Sequence, residues 1–156
     1  MKESINKTYY DENGNVIHTK DSNGYEQWWE YDENNNLIHY KNSDGYDELW
    51  REYDERNNLI HHKQSDGYEQ WWEYDENNNL IHYKNSDGYE LWSEYDERGN
   101  KIYHKNSNGL EYWKEYDEND NKIHCKTRNG YEEWYEYDEN GKLIHFKNND
   151  DEEIFY

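Results

Sequence analysis

Tyr31-Asp32-Glu33-Asn34-Asn35-Asn36-Leu37-Ile38-His39 decides the fold, because its leading Tyr-Asp pair keeps returning. The copies stand at Tyr10-Asp11, Tyr31-Asp32, Tyr53-Asp54, Tyr74-Asp75, Tyr95-Asp96, Tyr116-Asp117 and Tyr137-Asp138, at intervals of 21, 22, 21, 21, 21 and 21 residues. A fixed period of this size marks a repeat architecture, in which each unit is stabilised by its neighbours.

Upstream of that stretch, Tyr25-Glu26-Gln27-Trp28-Trp29-Glu30-Tyr31-Asp32 is rich in aromatic residues and alternates, the pattern of a strand. Downstream, Leu37-Ile38-His39-Tyr40-Lys41 makes a second strand, and Ser43-Asp44-Gly45 turns the chain back. Between the strands, Asp32 to Asn36 becomes Asp138-Glu139-Asn140-Gly141-Lys142 in the last unit. Asn or Gly in the fourth place fits a type I turn followed by a left-handed residue. No stretch has helical spacing over ten residues. The fold expected is all-β: tandem antiparallel β-hairpin repeats, about seven units of 21 residues, in an elongated, twisted or rolled single sheet of solenoid type.

The chain is read as one repeat domain over residues 1–156: a half-repeat at 1–9, units from Tyr10 to Asp151, and a closing strand at 152–156. One strand is expected from Ile5 to Tyr10. In the closing strand, Phe155 takes the place of Trp, and Asp150, Asp151, Glu152 and Glu153 charge the edge. The unit beginning Tyr46-Asp47-Glu48-Leu49-Trp50 holds one extra residue, for which a β-bulge is expected. Residues 25–45 and 68–88 are identical, so the array grew by duplication.

With Asp32 paired to Asn36, an even register sets Tyr31 against Leu37, Glu30 against Ile38, Trp29 against His39 and Trp28 against Tyr40. Alternation then sorts the side chains. One face carries Trp28, Ile38 and Tyr40 with Glu30; the other carries Tyr25, Trp29, Tyr31, Leu37, His39 and Lys41. The first is expected to be the inner face, with a structural core of Trp28, Trp50, Trp71, Trp92, Trp113 and Trp134 above Ile38, Ile60, Ile81, Ile102, Ile123 and Ile144. Ile17 begins that column. The Trp29 position drifts to Arg51, Ser93, Lys114 and Tyr135, so the second face is expected to be at least half solvated.

Composition supports an ordered array. The chain has 8 Trp, 19 Tyr, no Pro and a net charge of -21, with only 31% hydrophobic residues. Few aliphatics and high charge ordinarily mean disorder, but each Trp or Tyr buries roughly 150–250 Å². The single cysteine, Cys125, excludes an intramolecular disulfide framework. The opening residues carry no apolar signal region, so a cytoplasmic location is expected, a host cytoplasm if the chain is phage-encoded. The acidity disfavours direct binding of nucleic acid or an anionic membrane and favours a basic protein surface.

Three repeated constellations carry chemistry. His18, His39, His61, His82, His124 and His145 share one position, with Tyr103 substituting once beside His104. Successive members lie two strands apart, about 9–10 Å, too far to share an ion with bonds near 2.1 Å; no metal or cofactor is assigned. Glu30, Glu52, Glu73, Glu94, Glu115 and Glu136 form an acidic column beside the Asp column, which consists of turn formers. Paired carboxylates serve glycoside hydrolysis, but a pair copied in every unit is not a catalytic site, and no catalytic residue is assigned. The Glu column is a partner-binding candidate, offset in part by Lys20, Lys41, Lys63, Lys84, Lys105, Lys126 and Lys147 through cross-strand pairing. The aromatic partner-binding candidates are Trp29, Trp72 and Tyr135.

Tyr137-Asp138-Glu139-Asn140-Gly141-Lys142-Leu143 resembles the YD (RHS) repeats of bacterial surface and toxin-delivery proteins. The likeness extends over essentially the whole chain, with Gly14, Gly99 and Gly141 kept and Asn35, Asn57, Asn78 and Asp120 replacing the other glycines. It implies hairpins in a long antiparallel sheet without catalytic activity of their own. Gly-x-x-x-Trp-x-x-Tyr-Asp is also similar to choline-binding repeats of cell-wall proteins, which cage a quaternary ammonium, but their second Gly-Trp is missing. MORN-type repeats share the hairpin-array look and not the Gly spacing.

Three functions are therefore expected in order. The first is a non-enzymatic acidic binder of a protein's basic surface, which would inhibit by imitating phosphate charge if that surface normally holds nucleic acid, as phage-type inhibitors of restriction or CRISPR enzymes do; that likeness is one of charge. The second is a saccharide- or choline-binding surface module. The third is a passive YD-type scaffold or shell fragment. Edge strands leave room for a homodimer.

Overall fold

The computed structural model describes residues 6–156. Its strands are β1 (Lys7–Tyr10), β2 (Val16–Lys20), β3 (Glu26–Tyr31), β4 (Leu37–Asn42), β5 (Glu48–Tyr53), β6 (Leu59–Gln64), β7 (Glu69–Tyr74), β8 (Leu80–Asn85), β9 (Glu90–Tyr95), β10 (Lys101–Asn106), β11 (Glu111–Tyr116), β12 (Lys122–Thr127), β13 (Glu132–Tyr137), β14 (Leu143–Asn148) and β15 (Glu153–Phe155). Each is hydrogen-bonded to its sequence neighbours, in order from β1 to β15. The fold is all-β, tandem antiparallel hairpins, and the described residues contain no helix. Of the opening strand expected from Ile5 to Tyr10, β1 is the described part, and Ile5 lies outside the described residues.

The chain divides into two compact units. One runs to Trp72 and adds Asn85–Asp87; the other comprises Glu73–Lys84 and Gly88–Tyr156. The first holds β1 to β6, the second β9 to β15, and the boundary passes through β7 and β8.

Local chemistry builds every Tyr-Asp turn alike. The Asp32 N–H donates to the Asn36 carbonyl at 3.0 Å, and the Asn35 N–H to the Asp32 carbonyl at 3.1 Å. The Asp32 carboxylate accepts the backbone N–H groups of Asn34 and Asn36 at 2.9 and 2.8 Å and the Asn36 amide at 3.0 Å. Asn35, at φ 64°, occupies the left-handed region that Asn tolerates better than other side chains. Hydrogen bonds from the turn asparagine, the largest cause, hold the Asp32, Asp54 and Asp117 carboxyls below the usual value.

Beyond the turn the expected register fails by one residue. Tyr31 does face Leu37, but Glu30 then pairs with His39, Trp29 with Tyr40 and Trp28 with Lys41, leaving Ile38 as the extra residue of a bulge. The same shift follows Tyr10, Tyr53, Tyr116 and Tyr137. One face therefore carries Trp28, Glu30, His39 and Lys41, and the other Gln27, Trp29, Tyr40 and Asn42. The side-chain period is two, so a single extra residue exchanges the faces of everything beyond it.

This corrects the expected core. Among the described residues no apolar side chain is buried. Trp28, Trp50, Trp71, Trp92, Trp113 and Trp134 are half-buried to exposed, with Trp50 at 36% and Trp113 at 41%. Ile38, Ile60, Ile81, Ile102 and Ile123 occupy the bulge position half-buried, and Ile144 is 38% exposed. The three buried side chains, Asn42, His62 and Ser93, lie on the opposite, Trp29 face, which was expected to be the wetter one. The drift there is pairwise. Arg51 meets His62, Ser93 meets His104 with Oγ to Nδ1 at 3.1 Å, and Tyr135 meets Phe146, so these three substitutions are answered by the residue across from them, whereas Lys114, opposite Cys125, lies over Tyr112 of its own strand.

The extra residue near Tyr46 produces no bulge in a strand. The pairing Lys41 with Glu48, Tyr40 with Leu49 and His39 with Trp50 is continuous, and the turn absorbs the insertion.

Neighbouring hairpins are tied by the repeated tyrosine. The hydroxyls of Tyr31, Tyr53, Tyr95, Tyr116 and Tyr137 donate to the carbonyls of Val16, Leu37, Leu80, Lys101 and Lys122, at 3.0–3.3 Å. Each bond joins one hairpin to the one before it. We expect Tyr137→Phe to lower stability in urea unfolding by about 0.5–1.5 kcal/mol, the net worth of one hydrogen bond. Tyr10→Phe, at a hydroxyl-bearing ring 59% exposed, serves as the control that stays near wild type.

Candidate functional site

The register shift places a histidine, a tryptophan and two carboxylates together at four positions along the array, with variants of the set at three more. On β4, the His39 ring lies flat against Trp50 of β5, centroids 5.4 Å apart and planes 16° apart. Its Nδ1 faces Glu30 at 3.3 Å and its Nε2 faces Glu48 at 2.9 Å. His61 stacks on Trp71 between Glu52 and Glu69, and His82 on Trp92 between Glu73 and Glu90. His124 stacks on Trp134 between Glu115 and Glu132, and His145 on Phe155 between Glu136 and Glu153. His18 begins the series against Trp28 and Glu26. Where Tyr103 replaces histidine its ring tilts by 37° against Trp113, and its hydroxyl donates to Glu111 at 2.8 Å.

Aromatic pairs of this kind are worth about 0.5–1.5 kcal/mol each beyond the area they cover, and they take the place of an apolar core. Lysines finish the face. Lys20, Lys63 and Lys126 pair with Glu26, Glu69 and Glu132 at 2.5–3.2 Å. Lys41, Lys105 and Lys147 lie over the Trp28, Trp92 and Trp134 rings at 5.3–5.7 Å.

Of the sequence candidates, the acidic column is brought to the surface. Glu30, Glu52, Glu73, Glu94, Glu115 and Glu136 are all exposed, with side chains of the five that meet a histidine 65–69% accessible. Trp29, Trp72 and Tyr135 are half-buried on the other side of the sheet. Trp29 packs on Tyr40 at 5.5 Å, and the Tyr135 hydroxyl donates to Glu133 at 2.5 Å. The acidic and aromatic candidates therefore do not share a face. Sequence reading identified the histidine column but set it on the Trp29 face, away from Trp28, and missed its carboxylate clamp, whose signal is the Glu at Glu26, Glu48, Glu69, Glu90 and Glu132. Among the described residues no group of three His, Cys, Asp or Glu side chains has the geometry of a metal site.

Two histidine populations result. His145 has its pKa raised by hydrogen bonds to Glu136 and Glu153. At His82 partial burial works against the charge, but Glu73 and Glu90 outweigh it and the pKa is raised. An imidazole held between two carboxylates donates through both nitrogens only as the cation. His62 and His104, on the other face, have their pKa values lowered, chiefly by burial and next by Arg51 and Lys101.

Residues 10–47 match the family model of the RHS repeat. No curated protein matches the chain. Among solved structures it is similar to a variant of the Photorhabdus luminescens Tc holotoxin pore, with TM-score 0.63 and 19% identity over 92% of this chain and 9% of that one. The complex TcdB2-TccC3-Cdc42 gives TM-score 0.63 and 19% identity, and TcdB2-TccC3 gives 0.63 and 20%, with the same coverage. At such identity the likeness is one of fold, and the chain spans 9% of the length of those it matches.

Linkage fixes the sign of the pH response. A raised histidine pKa stabilises the fold fully below the unfolded value, near 6.5, and that share is lost as pH rises through the folded value. A lowered one stabilises above the unfolded value and is lost as pH falls through the folded value. NMR titration should therefore find His82 and His145 ionising above free histidine, and His62 and His104 below it. The reverse order would contradict the two-face arrangement.

Proposed function

We propose that this RHS-type hairpin array is a non-enzymatic structural module, a scaffold whose units hold one another and present an acidic surface. What supports the reading is repetition: the turn carboxylate, the inter-hairpin tyrosine bond and the stacked histidine are each copied from hairpin to hairpin. A catalytic centre is one constellation unlike its surroundings; here each constellation has its equivalents along the chain. Deleting residues 68–88, the duplicate of 25–45, should leave the β spectrum and tryptophan emission of a folded array, with a smaller urea m-value for the shorter chain. A deletion variant that fails to fold in circular dichroism would count against modular construction.

A finer reading is favoured by the acidic column. With 38 acidic residues against 17 basic, the exposed Glu side chains give a negative field that attracts a basic protein surface, and blocking such a surface would make the chain an inhibitor. Fluorescence titration with poly-lysine should show affinity falling steeply as salt screens the charges. Replacing Glu30, Glu52, Glu73, Glu94, Glu115 and Glu136 with Gln, which keeps hydrogen-bonding groups beside the histidines, should remove most of that affinity. Binding indifferent to salt and to these changes would leave the scaffold without the acidic-partner role.

A further inference from the structure

The hairpin of β4 and β5 keeps a tyrosine that four other turns seat, but does not seat it. Before four of the six Trp strands stands a tyrosine seated in the turn, whose hydroxyl meets the amide of an Asn 17 residues later; before β11 the place is taken by Leu110. Tyr68 accepts from Asn85 at 3.1 Å, Tyr89 from Asn106 at 3.5 Å and Tyr131 from Asn148 at 3.2 Å; Tyr25 bonds Asn42 in the same way. The backbone fixes the seat. The Gln64 N–H donates to the Tyr68 carbonyl and the Thr127 N–H to the Tyr131 carbonyl, both at 2.9 Å.

In the hairpin of β4 and β5 the inserted residue takes that backbone place. The Asn42 N–H donates to the carbonyl of Asp47 at 3.2 Å, and the Asn42 amide to the Asp47 carboxylate at 3.0 Å. Tyr46 is displaced outward and is 83% exposed, the most exposed of the large apolar and aromatic side chains described. Gln64 stands where the sister hairpins have the accepting tyrosine's Asn, and its amide turns to His62 Nε2 at 3.2 Å. The position that a phenol ring fills at Tyr25, Tyr68, Tyr89 and Tyr131 is here a groove of about 310 Å³, lined by Tyr40, Leu49, Gln64 and Ser65, with Tyr46 at its edge and a rim of Asp47, Glu48 and Asp66.

We propose that this groove binds an aromatic side chain of a protein partner, flanked in that partner by lysine or arginine. The chain's own sister hairpins show what fits: a phenol ring whose hydroxyl takes a bond from the amide of residue 64, which has a second N–H to give. Charge selects the flanks. Three carboxylates ring the groove, and a second copy of this chain, itself at -21, is repelled where a basic segment is attracted. Tyr46, largely exposed at the edge of the groove, supplies a further aromatic surface of the kind enriched at interface hot spots. The proposal stands apart from the acidic-column reading, because it requires none of the six Glu residues of that column.

The test uses the full chain and the amidated peptide Lys-Tyr-Lys, followed by NMR at the backbone amides of Leu49 and Gln64. Saturable shifts at those amides are expected, with Lys-Gly-Lys and Glu-Tyr-Glu binding at least about tenfold more weakly, the equivalent of one lost favourable interaction. Deleting Asp47 restores the 21-residue interval, lets Tyr46 fill the groove, and should abolish the shifts while the β spectrum persists. Gln64→Leu leaves the chain length unchanged and should weaken binding about tenfold, the weight of one hydrogen bond. Undiminished shifts in both variants, equal binding of Glu-Tyr-Glu, or no saturable binding at all would overturn the proposal. Loss of binding in the Glu-to-Gln column variant with these shifts intact would separate the two sites.

Discussion

The structure depends on one extra residue in each hairpin. Because Ile38 and its equivalents are bulged out of the ladder, the strand beyond them is offset by one place, and histidine lands on the tryptophan side of the sheet. Without the offset His39 would oppose Trp29, and Trp28 would oppose Tyr40. With it, an imidazole lies on an indole and between two carboxylates in hairpin after hairpin. A bulge also raises the local twist of the strand pair, so the sequence feature that sets the faces acts on the backbone as well.

This arrangement answers a difficulty that a one-layer sheet creates. Most domains bury an apolar face against a second layer, and here no apolar side chain is buried among the described residues. Stabilisation is spread along the ladders instead, each rung contributing a modest stacking or hydrogen-bonding term. The same rungs manage the charge. Many of the acidic residues are spoken for by a turn N–H, a histidine or a lysine, and the Glu column keeps its outer surface in water.

Much of this was legible in the residues. The Tyr-Asp interval, the Asn-or-Gly turn and the alternation of Glu26 to Tyr31 were enough for the hairpins, their order and the turn hydrogen bonds of Asp32. The faces were not. Pairing Tyr31 with Leu37 was right, but nothing in Leu37-Ile38-His39 shows that the middle residue lacks a partner, and a slip of one place reverses every assignment beyond it. The drift from Trp29 to Arg51, Ser93 and Lys114 suggested solvent because each residue was read alone. Read across the strand, Arg51 with His62 and Ser93 with His104 are matched pairs. The insertion near Tyr46 was visible as a longer interval, but its accommodation depends on the turn: a loop can lengthen at low cost, whereas a second bulge would move His39 away from Trp50.

Strict pairing of each strand with its sequence neighbours also has a consequence for how the molecule comes into being. No strand waits for a distant segment to be made, so each hairpin can close once its own stretch has left the ribosome and then template the next. Assembly of this kind, with low contact order, is fast, and it spares an aromatic-rich polypeptide a long interval with its rings unpaired during synthesis.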